Sequence, residues 1–432
     1  MSKQVALAGP TRREFAASTA AAAAAFAVPT LLIRKVSADG DSGGVIRAGL
    51  IGCGGRGTGA ADNLLEADPG VELVAMGDMF PDRLETSFKT LGDPHREGGA
   101  LKGFKVTKEK CFTGWDAYKQ VIDSGVDLVL LTTPPGFRPI HAAYAVEKKK
   151  HVFAEKPIAV DPVGVRKFIA LGEAAAKQGT GILAGTQYRH NFGFIETIKR
   201  IHAGEIGDLR TVRAYYNSNG VWHHPRQPGQ SDMEWQLRNW YYFDWLCGDH
   251  WVEQHLHTLD VTDWVVGARP VRAVGVGGRQ QRVGEEYGNI WDHFCVDYEY
   301  PNGLHVMSMA RHWKDTDSLV GAYAVGATGE AEIYKYKITG KNPWRYDDSN
   351  LPNQYVQEHR DNIASLRAGK PLNESRQVAE STLTAILGRQ AAYTGKMITW
   401  DEIMKSELDY SPPKYEFGPL PVRPVPIPGK TA

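Results

Sequence analysis

At 432 residues the chain is long enough to bury two separate hydrophobic cores. Its 50 Lys and Arg balance 50 Asp and Glu, which excludes a global attraction to nucleic acid or to a membrane surface and favours a small ligand as partner. The four cysteines, Cys53, Cys111, Cys247 and Cys295, form no CxxC pair and no metal-ligand spacing, so they read as free thiols rather than a disulfide scaffold.

The chain opens with Thr11-Arg12-Arg13-Glu14-Phe15, then an alanine-rich apolar stretch to Ile33, then Arg34-Lys35. This is the layout of a twin-arginine export signal, with Val36-Ser37-Ala38 at the positions a signal peptidase reads. Residues 1–38 are therefore assigned to a signal segment and the protein to the periplasm. The alternative is an uncleaved anchor, because the stretch reaches the lower limit of about 17 to 25 residues for a membrane span. Alanine-rich segments insert poorly, which favours cleavage and no stable membrane insertion afterwards.

From Val45 the pattern alternates apolar strands with helical segments, and residues 39–160 are expected to form a doubly wound parallel sheet. The strands are Val45 to Ile51, Val71 to Met76, Val126 to Thr132 and His151 to Ala154. After the first comes Gly52-Cys53-Gly54-Gly55-Arg56-Gly57, a GxGxxG run between a strand and a helix. Gly52 allows the tight turn, Gly54 the approach of a pyrophosphate and Gly57 the close packing of helix on strand. Asp78, at the end of the second strand, stands where an acidic residue bonds the adenosine ribose, and its charge favours NAD over NADP. Arg83, five positions on, could pair with a 2′-phosphate. Asp93 to Lys110 is a polar, glycine-containing stretch expected to be a loop. Thr133-Pro134 closes the third strand at its carboxyl end, where ligands sit in open α/β sheets.

Residues 161–411 are expected to form an α+β domain with an open, mainly antiparallel sheet. A helix from Pro162 to Gln178 and a strand at Gly181 to Gly185 precede strands at Leu209 to Tyr216, Val271 to Gly277, Phe294 to Tyr300, Leu304 to Ala310 and Ala322 to Val325. Pro301-Asn302-Gly303 is a hairpin turn. The segment Asn353 to Gly395 is helical and is a candidate to return to the first domain. Residues 412–432 are a proline-rich tail, extended over the surface or over another subunit.

Two constellations carry chemistry. In Glu155-Lys156-Pro157, at the end of a sheet strand, an ammonium beside a nicotinamide can polarise a hydroxyl or carbonyl oxygen. In a segment expected to be helical from Asp249 to Val266, helical spacing puts Glu253, His257, Asp260 and Trp264 on one face. There His257 can take a proton from a substrate hydroxyl, and Glu253 can orient the imidazole or bind the sugar. The aromatic and polar density of Trp222 to Trp245 suits a sugar ring, with His224, Arg238 and Tyr242 the candidate contacts. His250, Glu253 and His257, with His223, His224 and His255, also leave open a divalent metal site and a lyase or hydrolase reaction, although the spacing is not HExxH.

The glycine loop, Thr133-Pro134, Glu155-Lys156-Pro157 and the acid-x3-His-x2-Asp segment together resemble the glucose-fructose oxidoreductase and inositol dehydrogenase family (Gfo/Idh/MocA), from Ile46 to about Lys396. The resemblance implies a Rossmann domain followed by an open-sheet domain that associates into homodimers or homotetramers. It implies proton transfer by Lys156 and His257, with Glu253 in place of the family's aspartate. It also brings Gln187-Tyr188-Arg189 near the nicotinamide. The candidate cofactor set is Gly52, Gly54, Gly55, Arg56, Gly57, Asp78, Thr133, Pro134, His141, Glu155, Lys156 and Arg189, with Arg189 equally suited to bridging the domains. The expected function is NAD-dependent oxidation of a carbohydrate or cyclitol hydroxyl, and export of the folded protein makes a tightly retained cofactor a further expectation. Transient oxidation with elimination, giving net glycoside hydrolysis, is the alternative that uses the same cofactor. A sugar-binding protein without turnover is less compatible with both Lys156 and His257 being present.

Overall fold

The computed structural model describes residues 44–430; the expected signal segment lies outside the described residues. Short, fully buried apolar runs separated by amphipathic helices make a parallel sheet, because each strand must be covered on both faces. The chain runs β1 (Ile46–Ile51), α1 (Gly55–Ala67), β2 (Val71–Asp78), α2 (Pro81–Gly92), β3 (Cys111–Thr113), α3 (Ala117–Asp123), β4 (Leu128–Leu131), α4 (Arg138–Glu147), β5 (His151–Ala154), α5 (Pro162–Lys177) and β6 (Ile182–Ala184). These strands form one sheet in the order β3-β2-β1-β4-β5-β6, parallel throughout. The strand order reverses between β1 and β4, which opens a crevice at their carboxyl ends. Gly52 and Thr132 both stand there. The sheet continues past residue 160 to Ala184, and β3 was hidden from sequence reading because three edge residues carry no period.

The second domain follows as α6 (Phe192–His202), β7 (Leu209–Ser218), α7 (Asp232–Arg238), α8 (Asp244–Cys247), α9 (His250–Glu253), α10 (Leu256–Val266), β8 (Arg272–Gly278), β9 (His293–Glu299), β10 (His305–His312), β11 (Leu319–Gly326), β12 (Gly329–Glu332), β13 (Lys337–Gly340) and β14 (Trp344–Arg345). Its sheet has the order β14-β13-β12-β11-β7-β10-β9-β8-β15. Only β7 with β10 pairs in parallel, so the sheet is mainly antiparallel as expected. The turn at Pro301-Asn302-Gly303 joins β9 to β10, with Gly303 at a φ of 73°.

The last helices, α11 (Gln354–Arg367) and α12 (Ser375–Thr394), precede β15 (Ile398–Thr399) and α13 (Trp400–Lys405). Helix α11 does return to the first domain: Ile363 joins Ala60 and Leu64 of α1 in one core, and Arg367 pairs with Asp68 at 2.9 Å. Helix α12 is buried along most of its length and shares a core with both sheets. Among its described residues the tail has no helix or strand and lies on its own chain, where Trp291 Nε1 donates to the Pro426 carbonyl (3.1 Å) and Gly429 N to Thr394 O (3.0 Å). Among the described residues no helix is long and apolar enough to cross a membrane.

Candidate active site

The glycine loop sits in the crevice between β1 and β4. Gly52 has a φ of +101°, and a Cβ at Gly57 would lie 1.9 Å from the Gly52 carbonyl oxygen; only glycine permits this turn and this approach of helix to strand. Gly54 caps α1 without a side-chain hydrogen bond. The first amides of α1, at Gly55, Arg56 and Gly57, are left for an anion, and the helix dipole favours one there. Asp78 holds the loop from the next strand, its Oδ2 accepting from Cys53 N (2.6 Å) and its Oδ1 from Phe80 N (2.8 Å). Burial pushes this carboxyl up, while the two amides pull it down. Each oxygen keeps a lone pair for a ribose hydroxyl.

A cavity of about 720 Å³ opens over this loop. Its walls include Asp78, Arg83, Trp115, Thr133, Pro134, Phe137 and His141 from the first domain, and Trp222, His224, Leu237, Trp240 and Tyr415 from later in the chain. His141 Nδ1 lies 3.2 Å from Thr133 Oγ1. Burial, and then the charge of Arg138, lower its pKa to about 3, so it is a neutral hydrogen-bonding group. These residues fit a dinucleotide: an uncapped helix start for phosphates, a carboxylate for ribose, and flat aromatic walls.

Arg56 lines this cavity as well and links it to Glu155. Arg56 Nε meets Glu155 Oε1 at 2.5 Å, its Nη2 lies 3.4 Å from Glu358, and its guanidinium sits 4.8 Å over the Tyr355 ring. The two candidate cofactor residues are thus bonded to each other and tie the start of α1 to β5 and α11. Glu358 is fully buried, and burial holds its carboxyl well above the usual range.

Lys156 is buried and donates from Nζ to the Glu253 carbonyl (2.6 Å) and to Glu253 Oε1 (3.0 Å). The third ammonium proton has no partner in this pair and is available to a reacting oxygen. The helix expected from Asp249 to Val266 is broken into α9 and α10 at Gln254-His255. Two side-chain bonds hold the break: Gln254 Nε2 donates to Tyr216 Oη (2.6 Å), and His255 Nε2 contacts Ser308 Oγ (2.6 Å). Because of the break, the Glu253 carboxylate engages Lys156 rather than orienting His257. Before α9, Asp249 adopts a φ of 78°, and its Oδ2 accepts from Trp291 N (2.8 Å) and Tyr393 Oη (2.5 Å). His257 packs edge-on against Tyr188, with ring centres 5.6 Å apart. Burial, with the charges of Lys156 and Arg56, holds it well below the ordinary imidazole range. Its ring is therefore held neutral.

Arg189 is committed elsewhere, with Nε 2.9 Å and Nη2 3.0 Å from the Asp260 carboxylate and the guanidinium over Trp264. Its place is a bridge between the two domains, and Asp260 and Trp264 belong to that bridge instead of a catalytic face. The three candidate sugar contacts do not converge on Lys156 and His257. Tyr242 is 0 % exposed, donating to Val221 O (3.0 Å) and accepting from Arg282 Nη1 (2.8 Å). Arg238 pairs with Asp82 (3.1 Å) and Glu234 (3.0 Å). His224 lines the dinucleotide cavity. The aromatic density that suggested a sugar site builds a core from Trp235, Tyr241, Tyr242, Phe243 and Trp245, and the upper wall of that cavity. The residues of the alternative metal site are likewise separated. His250 stacks on His312 at 4.3 Å, and Glu253 is paired with Lys156. Among the described residues no group of three or more His, Cys, Asp or Glu could hold a metal ion. Sequence reasoning missed Trp115 and Tyr415, whose approach to the glycine loop is set by tertiary packing and has no local signal, and it assigned Trp240 to a sugar site where the structure puts it in the wall of this cavity.

Comparison with known proteins agrees with this layout. Residues 46–185 match the NAD-binding Rossmann fold of an oxidoreductase family, and residues 194–332 match the GFO/IDH/MocA C-terminal domain. A scyllo-inositol 2-dehydrogenase (NAD(+)) of Bacillus subtilis is 24% identical over 262 residues, covering 60% of this chain and 65% of the relative. A glycosyl hydrolase family 109 protein of Bacteroides fragilis is 28% identical over 182 residues, covering 41% of this chain and 36% of the relative. The aldose-aldose oxidoreductase of Caulobacter crescentus, solved with glycerol, shares the fold with a TM-score of 0.63 at 18% identity, over 82% of this chain and 99% of that one. The chain thus spans less than two thirds of the length of these curated relatives.

Proposed function

The chain belongs to the Gfo/Idh/MocA family of NAD-binding oxidoreductases, and from that premise we propose that it oxidises a hydroxyl group of a sugar or cyclitol. The observation that carries the reading is the buried Lys156–Glu253 pair, with His257 kept neutral by burial and then by the Lys156 charge, and the pair's link to the dinucleotide cradle through Glu155, which bonds Arg56 of the glycine loop. Bound NAD would supply the hydride acceptor. The glycine loop and the start of α1 would hold its pyrophosphate, and Asp78 its adenosine ribose. Lys156 Nζ donates to the substrate oxygen and stabilises the alkoxide that develops there. A ring nitrogen of His257 takes the hydroxyl proton, which its lowered pKa permits across the neutral range. The relation to an inositol dehydrogenase supports the substrate class. To test it, the nucleotide released on denaturing the purified protein is identified, and absorbance at 340 nm is followed with a panel of inositols and sugars. No nucleotide and no reduction with any of them would sink the proposal.

A second reading keeps the cofactor and makes the net reaction redox-neutral. It is supported by the relation to a family 109 hydrolase and by the walls of the dinucleotide cavity, which come from both domains. Products from an aryl glycoside separate the two: released phenol without accumulating reduced nucleotide indicates elimination. Export by the twin-arginine route is part of the proposal, on the motif at Thr11 to Phe15. Fractionation should find an Arg12→Lys, Arg13→Lys variant retained in the cytoplasm. Association through the outer face of the second sheet, where Val274, Val276 and Met307 are exposed, is tested by light scattering.

A further inference from the structure

The dinucleotide cavity has a floor built from the glycine loop and the sheet, and a roof built from the second domain and the tail. The roof consists of Trp222, His224, Leu237 and Trp240 from the second domain and Tyr415 from the tail. Lys156, Glu253 and His257 are not among the walls, so the roof covers the pyrophosphate and adenosine half, away from the reacting centre. It is internally braced. Trp222 lies against His224 with ring centres 4.7 Å apart and the rings tilted by 31°, Trp235 Nε1 donates to the His224 carbonyl (3.1 Å), and His224 N donates to Asn239 Oδ1 (2.8 Å). Arg238, between Leu237 and Trp240, reaches down to Asp82 of α2.

The tail fastens this roof to the sheet edge. Tyr415 lies 5.8 Å from Phe137 and 6.3 Å from Trp115, and Phe417 lies 5.4 Å from Trp115 and 6.3 Å from Phe80. Phe80, Trp115 and Phe137 all follow sheet strands at their carboxyl ends, around the mouth of the cavity. A few residues on, the tail bonds the roof helix α7: Met233 N donates to Gly418 O (3.2 Å), Gln236 Nε2 to Leu420 O (2.6 Å), and Leu420 N to Asp232 Oδ2 (3.0 Å). It is then anchored to the second domain by Arg423 on Asp244 at 2.6 Å. Lifting the roof therefore requires releasing the tail from one side or the other.

We infer that the tail is a clasp that closes an aromatic roof over the adenosine half of the bound dinucleotide, so that the cofactor is not exchanged between turnovers. The inference rests on the dinucleotide reading above and goes beyond it by assigning Trp222, Trp240 and Tyr415 to cofactor retention. Flat aromatic faces around a purine suit stacking. A retained cofactor must be returned to its starting state within the site, so a second substrate or a later step must take back the hydride.

The test uses the protein as purified, with its bound nucleotide, and follows exchange against excess isotopically labelled NAD by rapid gel filtration. Trp222→Ala and the double variant Tyr415→Ala, Phe417→Ala should release nucleotide about 10- to 100-fold faster than the unmodified protein. Lys414→Ala, on the same tail, should not. Phe417→Ala alone removes a side chain that is already 49 % exposed, so it reads the same rate without disturbing a core, and thermal unfolding checks each variant. Exchange within twofold of the unmodified protein in the folded tail variants overturns the clasp. So does free exchange within seconds in the unmodified protein, while leaving NAD binding intact. Failure of the unmodified protein to bind any nicotinamide dinucleotide instead overturns the proposed function as well.

Discussion

The pairing of Glu253 with Lys156, in place of Glu253 with His257, can be measured by a double-mutant cycle. The perturbations are Glu253→Gln, Lys156→Met and the two combined, with Glu253→Gln and His257→Asn as a parallel cycle. Lys156 Nζ and Glu253 Oε1 stand 3.0 Å apart, with side-chain exposures of 8 % and 11 %, so screening by water is weak. At an effective dielectric of about 20, their gross attraction is roughly 5 to 6 kcal/mol. Desolvation of both ions cancels part of this, and the Glu253 carbonyl continues to accept from Nζ in the glutamine variant. The expected net coupling is about 2 to 3 kcal/mol. For Glu253 with His257 it is below about 0.5 kcal/mol, because the imidazole is neutral and the helix between them is broken. Urea unfolding of each protein gives the coupling energies. A coupling near zero for the lysine cycle, or a larger one for the histidine cycle, refutes the assignment of the carboxylate.

His257→Asn should slow single-turnover nicotinamide reduction by roughly 10² to 10⁴. In the unmodified protein the acid limb of that rate should fall below the ordinary imidazole pKa, since burial and then Lys156 and Arg56 disfavour the protonated ring; Lys156→Ala should slow the step and move this limb upward. Asp78→Ala should shift nucleotide titrations toward NADP, and a preference for NADP already present in the unmodified protein would refute the role of Asp78. Tyr242→Phe, which breaks the bond from Arg282, should cost about 1 to 2 kcal/mol in unfolding and leave KM unchanged. Burial opposes the charge on His190, but the carboxylates of Asp361 at 2.7 Å and Glu374 at 3.5 Å raise its pKa to about 10. Its contribution to stability is therefore full below about 6.5 and lost as pH rises through about 10, and His190→Gln should flatten that part of the unfolding curve.

The parallel sheet was legible because its strands are continuous apolar runs, and because a glycine loop and an acidic residue stand at fixed distances after the first of them. The same local rules read the hairpin at Pro301 to Gly303 and the long helices at the end. They did not reveal β3, whose residues are ordered only by pairing with Met76 to Asp78. Nor did they find the break after Glu253. Helical spacing there is sound, and it is overridden by two bonds from residues far away in the chain, Tyr216 and Ser308.

At the site, the division follows from how each residue gets its role. Gly52 and Gly57 act through backbone geometry within a few residues, and Asp78 stands at the end of the next strand at a set distance from them, so their motif can be read. Arg189, Arg238 and Tyr242 have the composition of ligand contacts, but partners from elsewhere in the chain, Asp260, Asp82 and Arg282, occupy their polar groups. Composition lists what a side chain can bond; only packing decides what it does bond. The roof is the converse case. Trp240 stands in sequence within a supposed sugar site and Tyr415 has no signal at all, and they line one wall because the tail and α7 are hydrogen-bonded beside the sheet edge. Residues that enclose a ligand are chosen by the shape of the closed chain, so a motif can locate the floor of such a cavity and leave its lid unread.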